Sequence, residues 1–437
     1  MKLYYGEETK KALKNFPFSG PKASIEFILS IVKIKKAGAI ANYKAGNLSL
    51  EKKDAILKVC NEILEGRHND QFVISSLQGG AGTATHMNVN EVIANRAEEI
   101  LKNKIKIHPI DDVNASQSTN DVNPSALKIT VFYLLEDLAD KLSSLVKSFE
   151  KKAKEFKHID KLGRTHLQDA IPTTLGAEFL AYSFNLKRYL LEIKKCQDLC
   201  KVLNLGGTAI GNSINANPVY IKEIYKELNI LTGVKFTKAS NTMAKTSSQA
   251  DFLIISQMIT ALGVDLSKIA NDFKFMASGP LGGIGELILK ELQKGSSIMP
   301  GKVNPVMPEV LNQLYYLVSG NNISIEKAVE GSQMELGVML PVVVDKLIES
   351  IKLTTEAIGH FDDLCVKEIK ADKEKCKYHL EHSTAYATLL VPYLGYDIVS
   401  LLVKKSISSN KTLRDIVLEG KYLKENEFDK IVRSYNF

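Results

Sequence analysis

LGAEFLAYSFNLKRYLLEIKKCQDLCKVL, Leu175 to Leu203, sets apolar side chains at Leu175, Phe179, Tyr182, Leu186, Tyr189, Ile193, Cys196, Cys200 and Leu203. Steps of four and three, sustained without a proline or an interior break, line one face of a long helix. Two further stretches keep the same rhythm: Leu127, Val131, Leu134, Leu138, Leu142, Leu145 and Phe149, then Ile255, Ile259, Leu262, Leu266, Ile269, Phe273 and Met276. Weaker helical patterns run over about Met307 to Ser319 and Leu336 to Ile358, with Pro308 suited to a first turn. No alternating strand pattern of comparable length competes. The spacing predicts an all-α chain with a long central five-helix bundle, its longest members roughly 45 Å at about 1.5 Å per residue. Such helices expose more apolar surface than one chain covers, so self-association is expected.

Glycine and proline clusters punctuate the pattern. Gly79-Gly80-Ala81-Gly82 precedes the bundle, Gly206-Gly207 to Pro218 interrupts it, and Ser278-Gly279-Pro280 to Pro305 is the longest irregular stretch. Polar motifs sit at these breaks, which fits chemistry on loops held by a rigid scaffold. At 437 residues the chain exceeds the size of one compact core. Three domains are expected: residues 1–115, the bundle over 116–362, and a small helical domain over 363–437.

Composition narrows the function. With 45% hydrophobic and 24% charged residues the chain reads as soluble and globular, with no uninterrupted apolar span long enough for a bilayer. MKLYYGEETKKALKNF lacks the apolar core and small-residue cleavage site of a secretory signal, so a cytoplasmic location is expected. Five scattered cysteines suggest neither a disulfide framework nor a zinc site, and no cluster of ligating side chains implies a metal or organic cofactor. The net charge is +7, but the lysines mix with acids, as in Glu150-Lys151-Lys152 and Lys367-Glu368. That is a solvated face and not a nucleic-acid stripe, although a positive field favours encounter with a small dianion.

The loop GSSIMPGKVNP, Gly295 to Pro305, gathers a chemical kit. Ser296 and Ser297 offer a proton acceptor, Lys302 a fixed positive charge for a carboxylate, and Asn304 a neutral donor. Gly295, Pro300 and Gly301 let the backbone bend. Ser116-Gln117-Ser118-Thr119-Asn120-Asp121 supplies hydroxyls and amides just before a helix expected to open at Pro124, where exposed amides favour a carboxylate. Simple N-capping accounts for one or two of those six residues. In Gly163-Arg164-Thr165-His166 a lone histidine is by default structural, but Thr165 and Gln168-Asp169 beside it, the latter able to fix its tautomer, favour a functional role.

Taken together, QGGAGTATHMNVNEVIANRA (Gln78–Ala97), SQSTNDVNPSA (Ser116–Ala126), KLGRTHLQDAIPTTLGAE (Lys161–Glu178) and GSSIMPGKVNPVMPE (Gly295–Glu309) resemble, in this order, the functional segments of the fumarase/aspartase superfamily. LGGTAIGNSIN (Leu205–Asn215) is a fifth, structural segment. The resemblance implies a three-domain fumarase/aspartase-like fold, a homotetramer whose active sites each draw loops from three subunits, and a small dicarboxylate substrate. It also implies elimination of ammonia or water beta to a carboxylate through an aci-carboxylate. By resemblance Ser296 is the base, stabilised as an alkoxide by backbone amides of its loop, and His166 faces the leaving amine. Thr83, Ser118, Thr119 and Ser297 would hold the beta-carboxylate, Asn120 the amino group, and Lys302, Asn304 and Thr165 the alpha-carboxylate. Arg164 and Glu178 read as structural or intersubunit partners.

QGGAGT, STND and PVMPEV favour the aspartase branch, with class II fumarase as the alternative. Two residues depart from the pattern: Leu281 stands where an arginine is common after Ser-Gly-Pro, and His86 where asparagine is common. His108-Pro109-Ile110-Asp111-Asp112 resembles a second, non-catalytic dicarboxylate site, but with Ile110 in place of an amide it predicts none.

Overall fold

A computed structural model describes residues 2–434. In chain order its helices are α1 (Glu7–Asn15), α2 (Ile25–Lys44), α3 (Leu50–Leu64), α4 (Thr83–Ile100), α5 (Thr119–Glu155), α6 (Leu175–Cys200), α7 (Pro218–Thr232), α8 (Thr242–Ser247), α9 (Ala250–Met276), α10 (Val306–Glu330) and α11 (Leu340–Phe361). Five shorter ones, α12 (Lys373–Glu381) through α13 (Ala387–Leu394), α14 (Tyr396–Ser409), α15 (Leu413–Glu419) and α16 (Glu425–Ser434), close the chain. The five long helices are α5, α6, α9, α10 and α11, at 37, 26, 27, 25 and 22 residues.

The four-and-three ladders are the buried faces of these helices. All nine apolar positions quoted from Leu175 to Leu203 are buried, as are all seven from Ile255 to Met276. On α5 the ladder differs by one place: Leu135 is fully buried while Leu134 is half-buried. The helix α6 stops at Cys200, because Val202–Leu203 forms a short parallel pairing with Thr237–Lys238. By length and composition α9 is apolar enough to cross a membrane, which the sequence reading did not anticipate, but its ladder is spent on burial inside the protein.

The chain divides into two compact units whose boundaries fall within long helices. One comprises residues 1–139, 191–262 and 316–355, the other 140–190, 263–315 and 356–437. In the first, Lys128 of α5, almost fully buried, donates to Asp251 of α9 at 2.6 Å and to the carbonyl of Val202 at 2.7 Å. Asn321 of α10 donates to Ser350 of α11 at 3.1 Å.

The second unit is centred on aromatic rings. Phe179 of α6 stacks on Phe273 of α9 at 5.5 Å, and Phe149 of α5 and Phe361 of α11 close the cluster. Each such pair contributes about 0.5–1.5 kcal/mol beyond its buried area. Gly176 lets α6 begin against the end of α5, since a Cβ there would lie 2.5 Å from the Ala153 carbonyl oxygen. The terminal helices α12–α16 carry their own apolar core, including Leu390, Leu413 and Phe428.

One element escaped the sequence reading. Asp160–Thr165 (β1) and Gln168–Thr174 (β2) form an antiparallel hairpin, pairing Thr165 with Gln168, and Leu162 of β1 is buried in the terminal core. Strand alternation is masked here because a bulge falls between Leu162 and Arg164. Gly163 occupies it, where a Cβ would meet the Ile171 carbonyl oxygen at 2.7 Å.

Candidate active site

Within the first unit, three polar segments converge. Gly80, Ala81 and Gly82 are successive left-handed residues, with φ of 67°, 55° and 88°, and lead into α4 at Thr83. Only glycine suits position 82, because a Cβ there would stand 2.8 Å from Asn123 Nδ2. Asn123 of α5 straps this turn by donating to the carbonyls of Ala81 and Gly82 at 3.3 and 3.2 Å. The Thr83 hydroxyl donates to the Gly80 carbonyl at 2.7 Å.

The helix α5 opens at Thr119, five residues before the expected Pro124. Pro124 lies inside it and has no N–H for the carbonyl of Asn120. Asn204 fills that role, donating to the Asn120 carbonyl at 3.1 Å. Ser118 is an N-cap: its hydroxyl oxygen accepts from Asn120 N at 3.2 Å, and its own N–H donates to Asp121 at 2.9 Å. Capping thus occupies two of the six residues, Ser118 and Asp121, within the one or two expected. Because Ser118 Oγ accepts, its proton stays available to a ligand. The Asn120 amide donates to the Ala209 carbonyl at 2.7 Å, so LGGTAIGNSIN abuts the turn.

Asp121 anchors the arrangement. It is fully buried, and its second oxygen accepts from Gly206 N and Thr208 N at 2.9 and 3.1 Å. Burial pushes its carboxyl up to about 6, against the three backbone N–H groups that favour the charged form. Lys35, also buried, donates to Asn114 at 2.7 Å and to Gln117 at 3.1 Å. Burial pushes its amine down to about 7, with Asp121 opposing. His86 Nδ1 lies 2.8 Å from Thr119 Oγ1, and burial holds its ring well below the ordinary histidine range. The sequence flagged His86 only as a departure, and missed Asp121, Asn123 and Asn204 as organisers. For Asp121 a signal existed, an acid three residues after a serine at a helix start.

Within the second unit, Thr165 and His166 occupy the exposed tip of the hairpin. His166 and Leu167 have φ of 56° and 60°, the pair of left-handed residues that a two-residue type I′ turn requires. Neither is glycine or asparagine, and each costs about 1–3 kcal/mol in that conformation, a strain that collects at functional sites. Asp169 does not fix the His166 tautomer: it pairs in register with Arg164, and among the described residues no hydrogen bond joins it to the imidazole.

Beneath the tip, Glu286, fully buried, pairs with Arg164 at 2.9 Å and Lys161 at 3.1 Å, and Lys161 reaches Glu178 at 2.9 Å. Burial works against the Lys161 ammonium, but the two carboxylates outweigh it and raise its pKa. Arg164 and Glu178 thus belong to an ion network that holds the hairpin.

The Ser296 hydroxyl oxygen accepts from Ile298 N at 3.1 Å and Met299 N at 3.0 Å. The neck of the loop is closed by Asn304, which donates to the Gly295 carbonyl at 2.8 Å. Gly295 is obligatory, since a Cβ would fall 1.9 Å from the Lys302 carbonyl oxygen. Lys302 and Asn304 line a cavity of about 320 Å³ with Pro280, Leu287 and Asp372. Ser297 and Lys302 are exposed, and Leu281 is 89% exposed. The structure thus brings Thr83, Ser118, Thr119 and Asn120 together in one cluster. It places Ser296, Ser297, Lys302 and Asn304 on one loop and Thr165 and His166 on one hairpin.

A mainly helical scaffold, with an α5 N-terminus rich in hydroxyls and a serine loop braced by its own amides, fits a lyase of the fumarate-releasing type. The chain belongs to the fumarase/aspartase superfamily: residues 2–320 match the family described as Lyase, and residues 387–437 match Fumarase C C-terminus. It is 40% identical to the aspartate ammonia-lyase of Helicobacter pylori (strain ATCC 700392 / 26695), covering 99% of this chain and 94% of that one. Against the class II fumarate hydratase of the same organism the identity is 39%, over 98% and 94%. Among solved structures, a fumarate lyase:delta crystallin from Brucella melitensis bound to cobalt superposes with a TM-score of 0.95 at 38% identity, covering 99% of this chain and 95% of that one.

Proposed function

We propose that this chain is a carbon–nitrogen lyase that reversibly eliminates ammonia from L-aspartate to give fumarate, working as a cytoplasmic homotetramer. Ser296 as its alkoxide takes the C3 proton and becomes a hydroxyl. The electron pair left on C3 spreads into the beta-carboxylate as an aci-carboxylate, then forms the C2–C3 double bond as the C2–N bond breaks. Ammonia leaves with that bond's electrons, and His166 hydrogen-bonds it. Ser118, Thr119 and Ser297 donate to the beta-carboxylate, where charge builds, with Thr83 lining the same pocket, Asn120 faces the amino group, and Lys302, Asn304 and Thr165 hold the alpha-carboxylate.

The observation that carries this reading is the pair of N–H groups from Ile298 and Met299 on Ser296 Oγ. A free serine hydroxyl is far too weak an acid to serve as a base. Two fixed donors lower that barrier once water is excluded, and a glycine-hinged loop can deliver them on closing. Assembly is supported by side chains that one chain leaves exposed on its long helices, among them Phe184 and Leu191 of α6 and Leu317 and Ile323 of α10.

Class II fumarase activity, hydration of fumarate to L-malate, is the second reading. The similar identity to a fumarate hydratase favours it, as does the hairpin motif, which suits either reaction. The segments QGGAGT and PVMPEV favour the first. Fumarate formation followed by ultraviolet absorbance decides between them: turnover of L-aspartate well above that of L-malate is expected, and the reverse ranking would overturn the choice.

A further inference from the structure

We propose that His86 is a positioning residue that turns the Thr119 hydroxyl proton outward, toward the carboxylate of the substrate. The inference rests on the reading above that Thr119 binds the beta-carboxylate.

His86 lies on α4, only 1% exposed, with Nδ1 2.8 Å from Thr119 Oγ1. Two arrangements fit that distance. In one the hydroxyl donates to a bare Nδ1; in the other Nδ1–H donates to the hydroxyl oxygen. The first spends the only proton of Thr119 on the ring, so that its oxygen presents lone pairs to an incoming carboxylate. The second leaves that proton free to be donated.

The buried ring is neutral, because burial and the nearby Lys35 both oppose its protonation. A single ring proton therefore has two possible seats. Nε2 is buried and has no hydrogen-bond partner among the described residues. Proteins rarely leave a buried N–H unpaired and tolerate a bare acceptor more readily. The proton accordingly sits on Nδ1, and Thr119 is held as an acceptor from the ring and a donor to the ligand. Chains of hydrogen bonds polarise one another, so the Thr119 donor strengthens as charge builds on the carboxylate.

The tautomer is read directly by solid-state 15N spectra of protein labelled only at histidine, with the His86 signals assigned by their loss in His86→Phe. Protonation at Nδ1 is expected. Protonation at Nε2 would overturn the proposal; Asn90 Oδ1, one turn further along α4 and also without a partner, would then be its acceptor. Kinetics supply the second arm. His86→Phe should lower kcat/KM for L-aspartate about ten- to a hundredfold, mostly in kcat, with a smaller loss in succinate binding. His86→Asn, whose shorter amide still has an N–H to give, should recover part of the loss. Thr119→Val separates the two readings. An unchanged kcat/KM there removes Thr119 from the carboxylate clamp, whereas a large loss in Thr119→Val beside none in His86→Phe removes His86 alone.

Discussion

Asp121 is fully buried and accepts three backbone N–H bonds that fix the start of α5, while Ser296 accepts two from a loop whose neighbours Ser297, Ile298 and Met299 all face solvent. The acceptor chemistry is alike and the settings are opposite. Around Asp121 and Thr119, side chains from α2, α4 and α5 meet backbone groups of the Leu205–Asn215 segment, as a clamp needs if it is to hold a dianion without reorganising. Around Ser296 the bracing is internal to the loop, and Gly295 and Gly301 provide the bending that a closing base requires.

The sharpest way to break the comparison is Ser296→Ala. Turnover should fall by roughly a thousandfold or more, with the melting temperature little changed, because the two N–H groups released belong to the exposed Ile298 and Met299 and can turn to water. Substantial residual activity would remove the serine from its role. Lys302→Ala comes next: the KM for L-aspartate should rise about ten- to a hundredfold with a smaller change in kcat, as for a lost charge-assisted contact. An unchanged KM would contradict the clamp.

On the rigid side, Asp121→Asn should cost about 1–3 kcal/mol at acid pH, where the folded carboxyl still holds its proton, since an amide nitrogen, unlike a carboxyl oxygen, cannot accept a backbone N–H. Chemical denaturation measures it, and a variant as stable as the parent would refute the anchoring role. The pH dependence sharpens this. The folded-state carboxyl, raised from 3.8 to about 6, binds its proton more tightly than in the unfolded chain. Its contribution to stability is therefore complete below pH 3.8 and is lost as pH rises through 6. The parent should lose stability relative to Asp121→Asn across that window, and parallel curves would show that the carboxyl is not perturbed.

Much of this was legible in the residues. The ladders of α6 and α9 were found position by position, because burial on one helical face leaves a period that sequence preserves. The polar loops were also visible, since Gly295 and Lys302 stand out against helical surroundings. The hairpin was not: its bulge at Gly163 breaks the alternation, and a turn through His166 and Leu167 carries none of the glycine or asparagine that usually marks it. Pro124 misled for a related reason. A proline inside a helix normally argues for an end, and only Asn204, distant in sequence, shows how the orphaned carbonyl is served.

The sequence by itself determined the helical scaffold, the loops that carry chemistry and the family, because periodicity and ordered motifs are local properties of a chain. Tertiary structure alone decided which polar groups are spent on structure and which remain for a ligand. Ser118 caps a helix while keeping its proton, Asp121 is an anchor, and His86 reaches Thr119 across 33 residues of chain. A hydrogen bond depends on distance in space and on the exclusion of water, and neither is written in the order of residues.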